Sequence, residues 1–140
     1  MRFYSFTCMY TAGIHAGIQT AHAVHEMQRK YGSRENNAKY LNYLNWVDQH
    51  KTIIVKQAGY HSSLNALYDE LKQYSAHLNL PMIRWAESEE ALNGATTAVA
   101  IIVPESVYSI SRNKLSDNDY HYRSPEELLA EIIHRYPMAI

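Results

Sequence analysis

Apolar positions along this chain recur at two spacings, and the changes between them mark the elements. From Arg2 to Tyr10 the residues Phe3, Tyr4, Phe6, Cys8, Met9 and Tyr10 leave little room for charge, which predicts an opening buried strand. From Ile14 to about Lys30 there is no proline, and Ile14, Ile18, Val24 and Met27 fall at helical spacing among Ala16, Ala21 and Ala23, with Gly32 as the stop. Tyr40, Leu41, Tyr43, Leu44 and Val47 repeat at three and four residues and predict a second helix ending near Trp46 to Asp48. The β-branched run Ile53-Ile54-Val55, within Lys51 to Lys56, is too short for a helix and suits a central strand.

A third helix follows, capped by Ser62 or Ser63, with Leu64, Leu67, Tyr68, Leu71 and Leu78 on one side and Asn79-Leu80-Pro81 closing it. Met82 to Ala86 reads as a short strand before the acidic run Glu87-Ser88-Glu89-Glu90, and Ala95 to Val103 as a long buried strand. Ser106 to Arg123 is polar and weakly patterned, which predicts a long loop. Ser124-Pro125-Glu126-Glu127 supplies a cap, a proline at the first helical position and acidic residues at the positive helix end, starting a last helix through Leu128, Leu129, Ile132 and Ile133. The order β-α-α-β-α-β-β-α predicts an α/β domain, a small four-stranded mixed sheet with helices on both faces.

Composition narrows the function classes. The 140 residues are 46% apolar and 19% charged, as expected of one fully folded domain. A net charge of −1 excludes a globally basic nucleic-acid binder but leaves room for a local basic patch. Cys8 is the sole cysteine, so no internal disulfide forms, and no Cys/His series has zinc spacing; no metal and no cofactor are expected. Without an apolar signal core or a run of ~20 apolar residues, the expected setting is cytoplasmic, with no membrane partner.

Several groups of residues offer chemistry. At ~100° per residue, His15, Gln19, His22 and Glu26 fall within about 60° of one another on the first helix, a row able to hydrogen-bond a base or ribose, hold a phosphate or support acid/base steps; a solvated helix edge is the plain alternative. His25 points to the apolar side of that wheel and reads as a satisfied core histidine. Arg84 and Trp85 place a cation beside a large aromatic face, so that a base stacks on Trp85 while Arg84 meets a phosphate; otherwise Trp85 fills the core. Arg112, Lys114, His121 and Arg123, interleaved with Tyr108, Tyr120 and Tyr122, are placed to cover such a site or to form an ordinary charged loop. No nucleophile elbow, Walker loop or dinucleotide fingerprint occurs.

Four segments share a resemblance. Ile14-His15-Ala16-Gly17-Ile18-Gln19-Thr20-Ala21-His22-Ala23 resembles the Gly-Lys-Ile-Ala-Ala-Gln-Cys-x-His-Ala signature of type 2 peptidyl-tRNA hydrolases, keeping Gln19, His22 and Ala23. Trp46 with Lys51-Thr52-Ile53-Ile54-Val55-Lys56 is similar to that family's tryptophan and Lys-x-Val-Val-Lys strand. Leu80-Pro81-Met82-Ile83-Arg84 is similar to its Leu-Pro-x-x-x-Ile-Arg turn, one residue shorter, and Gly94-Ala95-Thr96-Thr97-Ala98-Val99-Ala100-Ile101 to its Gly-Thr-x-Thr-x-Leu-Ala-Ile strand. The resemblance implies a type 2 peptidyl-tRNA hydrolase-like core over residues 1–104, with residues 105–140 as a C-terminal loop and helix packed on the same domain. It implies metal-free cleavage of a peptidyl-tRNA ester, and often dimers.

Three departures bear on that activity. The family has a lysine at His15, an aspartate at Trp85 and a threonine near Glu89. Trp85 can neither accept a proton nor orient water. The expected function is therefore non-catalytic binding, with sequestration as one form, of a nucleotide-like or phosphate-containing ligand, either a small molecule or an RNA end, by His15, Gln19, His22, Glu26, Arg84 and Trp85. One alternative is a hydrolase of peptidyl-tRNA or a related ester built from His15, His22 and Glu89; another is a homo-oligomeric interaction module. A homodimer or higher homo-oligomer is expected.

Overall fold

The computed structural model describes residues 1–8, 13–33, 35–88, 90, 94–116 and 123–139. Its elements are β1 (Arg2–Thr7), α1 (Ile14–Tyr31), α2 (Ala38–Asn45) running into one π-helical turn (Trp46–His50), β2 (Ile53–Gln57), α3 (His61–Leu78), β3 (Met82–Ala86), β4 (Thr96–Val103), α4 (Glu105–Tyr108), α5 (Arg112–Ser116) and α6 (Pro125–His134). The strands form one mixed sheet in the order β2-β1-β4-β3. β1 pairs with β2 in parallel, as a helical crossover requires, and β4 runs antiparallel to both β1 and β3.

Alternation along the strands builds two cores. Phe3, Ala98, Ala100, Ile102 and Ile83 face α1 and α2, meeting Ala23, Met27, Tyr31, Tyr43 and Trp46. Tyr4, Phe6, Val99, Ile101, Val103 and Met82 face α3, meeting Leu64, Leu67 and Leu71. β4 is buried at all of its positions, which explains an apolar run with so little charge. α1 buries Ala16, Thr20, Ala23, Met27 and Tyr31 as a single stripe.

Local chemistry sets the helix ends. Asn79 adopts a left-handed conformation (φ 54°) at the end of α3 and its N–H bonds to the Ser75 carbonyl. The Ser124 hydroxyl accepts the Glu127 N–H, and Pro125 opens α6. The π turn closes through the Lys51 N–H to the Trp46 carbonyl at 2.8 Å, and it carries Trp46 over Phe3, with ring centroids 5.0 Å apart.

Several expectations are corrected. β2 lies at the sheet edge, not its centre; the Gln57 N–H bonds to Pro137 and the Ala139 N–H to Val55, so the C-terminal residues cover that edge and make a β-branched strand suitable there. α3 begins at His61, with Tyr60 rather than Ser62 or Ser63 at its cap position. Cys8 follows β1 instead of lying inside it. The segment from Ser106 to Arg123 holds α4 and α5 rather than continuous loop, because Val107, Ile110 and Leu115 are buried in the α3-side core; residues 117–122 lie outside the described residues. Among the described residues, no helix is long and apolar enough to cross a membrane.

Residues beyond 104 share one core with the sheet, through Val107, Leu129, Ala130, Ile132 and Ile133. Leu129→Ala is therefore expected to cost about 2–5 kcal/mol. The loss should register simultaneously in far-UV circular dichroism and in Trp46 fluorescence on the opposite face; separate transitions would show that the C-terminal segment folds independently.

Candidate functional site

The carboxyl ends of β1, β2 and β3, the start of β4 and the first turns of α1 and α3 gather at one end of the sheet. The register there is broken. Trp85 pairs with Ala98 while Ala86 pairs with Thr96, so Thr97 is an extra residue in β4. Such a bulge reverses the alternation and re-aims side chains. Thr97 consequently shares the α1 face with Ala98 and donates its hydroxyl to Gln19 Oε1 at 2.7 Å, while Thr96 turns to α3 and donates to Asn65 Oδ1 at 2.8 Å. The Thr96 N–H also bonds to His61 Nδ1 at 2.6 Å. Beneath α1, the Ser5 and Thr20 hydroxyls pair at 2.9 Å, so both are satisfied although buried.

The predicted row on α1 holds together along the flank that faces β3. His15 is exposed in the first turn, and Gln19 reaches Thr97. His22 stacks on the Trp85 indole, centroids 4.7 Å apart and planes within 7°. Trp85 is half-buried against the α1-side core, and its Nε1 is enclosed with no hydrogen-bond acceptor among the described residues. One turn beyond His22, Glu26 forms an ion pair with Arg29.

Arg84 and Trp85 are adjacent in a strand, so they project to opposite faces and do not form the side-by-side pair expected from the sequence. The Arg84 guanidinium lies on the α3 side, donating to Asn65 Oδ1 at 3.1 Å and standing 5.4 Å from the Tyr68 ring centre. One indole face is already covered by His22, so Trp85 is not an open stacking platform on that side.

Arg84 nevertheless rejoins the α1 row around the outside of β3. Glu26, Arg29, Lys30, Tyr68, Ile83 and Arg84 line a cleft of about 280 Å³ that wraps this sheet edge. The Arg29 hydrogen bond holds the Glu26 carboxyl below its usual range, although burial opposes the shift. Among the described residues, three cations thus face one carboxylate.

Other expectations fail on position. His25 is exposed, because the buried stripe of α1 runs along the opposite side of the helix; it is not a core histidine. Arg112 and Arg123 do not cover Trp85. Arg112 donates to the His134 carbonyl, and Arg123 to Leu115 and Glu131, all on the α3 side of the sheet. Tyr108 sits in α4 under the Arg2 guanidinium, 4.0 Å from its ring centre. Glu89, Tyr120, His121 and Tyr122 lie outside the described residues.

Thr96, Thr97, Asn65, His61, Arg29 and Lys30 were not anticipated. Two signals pointed to some of them. Paired threonines interrupt an apolar strand just after a glycine, a pattern compatible with a bulge, and Arg29 and Lys30 stand three and four residues after Glu26, within reach on a helix. Among the described residues, no group of three or more His, Cys, Asp or Glu side chains is placed to hold a metal ion.

Thr97→Val removes the donor to Gln19 and is expected to cost about 1 kcal/mol in thermal or denaturant unfolding. His22→Ala, in a Trp46→Phe background, should raise acrylamide quenching of Trp85 because its covering ring is gone; unchanged quenching would contradict the stack. No protein-family model matches the chain, and a comparison with curated proteins finds no significant match.

Proposed function

We propose that this chain is a non-catalytic binding protein for a nucleotide-like, phosphate-bearing ligand, built on a type 2 peptidyl-tRNA hydrolase-like scaffold. The scaffold reading is supported by where the four similar segments fall. The Gln19/His22 segment opens α1, Lys51 to Lys56 leads into β2, Ile83-Arg84 lies on β3 and Gly94 to Ile101 leads into β4. Gln19 then meets Thr97, and His22 meets Trp85, at the same end of the sheet.

The observation that carries the binding reading is the His22–Trp85 stack. At the position where the resemblance calls for an aspartate, an indole lies flat against an imidazole and supplies no proton acceptor. Gln19 and His22 offer polar edges for a base or ribose, and the cations at the β3 edge offer charge for phosphate. His15 extends the row towards the start of α1. Of the hydrolytic alternative His15, His22 and Glu89, His22 stacks on Trp85, His15 is exposed, and Glu89 lies outside the described residues.

A homo-oligomer is the second reading, favoured by Ile14 and Ile18 standing 76% and 45% exposed on α1. Light scattering of the wild type and an Ile14→Asp/Ile18→Asp variant separates it from a monomer.

Native mass spectrometry of protein purified without denaturation, followed by a nucleotide thermal-shift panel, tests the main reading. A stabilising nucleotide is expected, with at least tenfold weaker binding after His22→Ala or Trp85→Ala, the scale of about 1.4 kcal/mol. No response from any nucleotide, or turnover of a peptidyl-tRNA ester that depends on His15 and His22, would overturn it.

A further inference from the structure

We propose that the cleft around the outer edge of β3 seats two adjacent phosphate groups, and that the Glu26 carboxylate occupies Arg29 until those phosphates displace it. The nature of the full ligand rests on the binding reading above; the seat itself rests on separate residues.

The charge balance at the cleft is the first reason. Among the described residues, Arg29, Lys30 and Arg84 line it against Glu26 alone, in a chain whose net charge is −1. The ion pairs among the described residues join Arg29 to Glu26, Arg123 to Glu131 and Arg135 to Glu70, so neither Lys30 nor Arg84 has an anionic partner there. Arg84 uses Nη1 on the Asn65 carbonyl oxygen, and a guanidinium has five N–H donors. Lys30 Nζ makes a long contact, 3.4 Å, with the Met82 carbonyl. Both cations retain donor capacity towards the cleft.

The main chain supplies the second reason. The Ile102 N–H bonds to the Pro81 carbonyl, so residues 81, 83 and 85 of this edge turn their polar groups towards β4, and 82 and 84 turn theirs outward. The Tyr31 hydroxyl takes both outward groups of Met82, at 3.4 Å to its N–H and 3.2 Å to its carbonyl. That blocks addition of a peptide strand, which needs a longer run of open groups. It leaves the N–H and carbonyl of Arg84 as the outward main-chain pair of this stretch, and the N–H is a donor that an anion in the cleft could use.

The cleft, about 280 Å³ and open to solvent, has room for a diphosphate, and the rest of a nucleotide would lie beyond the residues that line it. The nucleoside then extends along α1 towards His22, one helical turn from Glu26 and about 5–6 Å away between Cβ atoms. A nucleoside diphosphate and a 5′-diphosphate RNA end share this chemistry.

Calorimetric titration with inorganic pyrophosphate, with amide NMR shifts on labelled full-length protein, tests the seat. Saturable binding is expected, shifting Arg29, Lys30 and Arg84. Lys30→Gln and Arg84→Gln should each weaken it about three- to tenfold, whereas Glu26→Gln should strengthen it about two- to fivefold, because Arg29 is released and a like charge removed. Non-saturable binding, shifts elsewhere, or Glu26→Gln without gain would overturn the proposal; thermal melts of each variant check folding, and the wild-type shifts decide the location regardless. Adenosine diphosphate and a 5′-diphosphate oligoribonucleotide form the next arms, and the tighter of the two identifies the source. Pyrophosphate binding without any added affinity from a nucleoside would leave the seat standing and remove the nucleotide reading. Nucleotide binding that ignores Lys30 and Arg84 would do the reverse.

Discussion

One extra residue in β4 organises the working end of the sheet. β4 is hydrogen-bonded along both edges and buried on both faces, so its side chains have no freedom to choose a face except where the pairing itself shifts. The bulge at Thr97 is that shift. It sends two neighbouring hydroxyls to opposite layers, and each finds an amide: Thr97 reaches Gln19 on α1, and Thr96 reaches Asn65 on α3. Both helices are thereby pinned to the sheet at the end where α1 and α3 begin. A buried strand cannot leave polar groups unpaired at this location without a cost of about 1–3 kcal/mol each, so the bulge and its two amide partners form one unit.

The same alternation separates Arg84 from Trp85. Because β3 is an edge strand, the separation is not final: a short edge lets the α1 flank and the α3 face approach each other around it. The indole stays inside, closed by His22, and the guanidinium stays outside, beside Tyr68. Recognition of an aromatic group and of an anion would therefore occur at separate places along α1, not at one point, which favours an elongated ligand over a compact one.

Much of the fold was legible in the sequence. The limits of α1, β3, β4 and α6 follow from periodicity and end signals that act locally: Gly32, Pro81 and the Ser124-Pro125 pair. What was not legible depends on distant partners. Ile53 to Val55 reads as a central strand because the residues that cover its edge, Pro137 and Ala139, are about eighty positions away. His25 reads as buried only if the wheel is oriented by its aliphatic residues; the true buried stripe is set by Ala16, Thr20, Ala23 and Met27, the first three small enough to let the helix lie close on the sheet, and Ile14 and Ile18 are left outside. The row His15, Gln19, His22, Glu26 was legible because helical spacing fixes it. Its partners Thr97, Trp85 and Arg29 were not all so, since two of the three come from strands whose register no local pattern specifies.

Gathering like charges at a sheet edge opposes folding unless something offsets their repulsion. Arg29 and Lys30 lie in the last turn of α1, where the carbonyl end of the helix favours cations, and Glu26 neutralises one of them within the same turn. Arg84 donates a hydrogen bond to Asn65 Oδ1 and lies over the face of Tyr68. The cluster is therefore stable without a ligand, yet its one anion among the described residues is held by an exposed pair that water screens. An incoming diphosphate competes with a weak bond and meets cations whose positions the fold has already set. Affinity in such a seat comes from preorganisation and not from any rearrangement of the sheet.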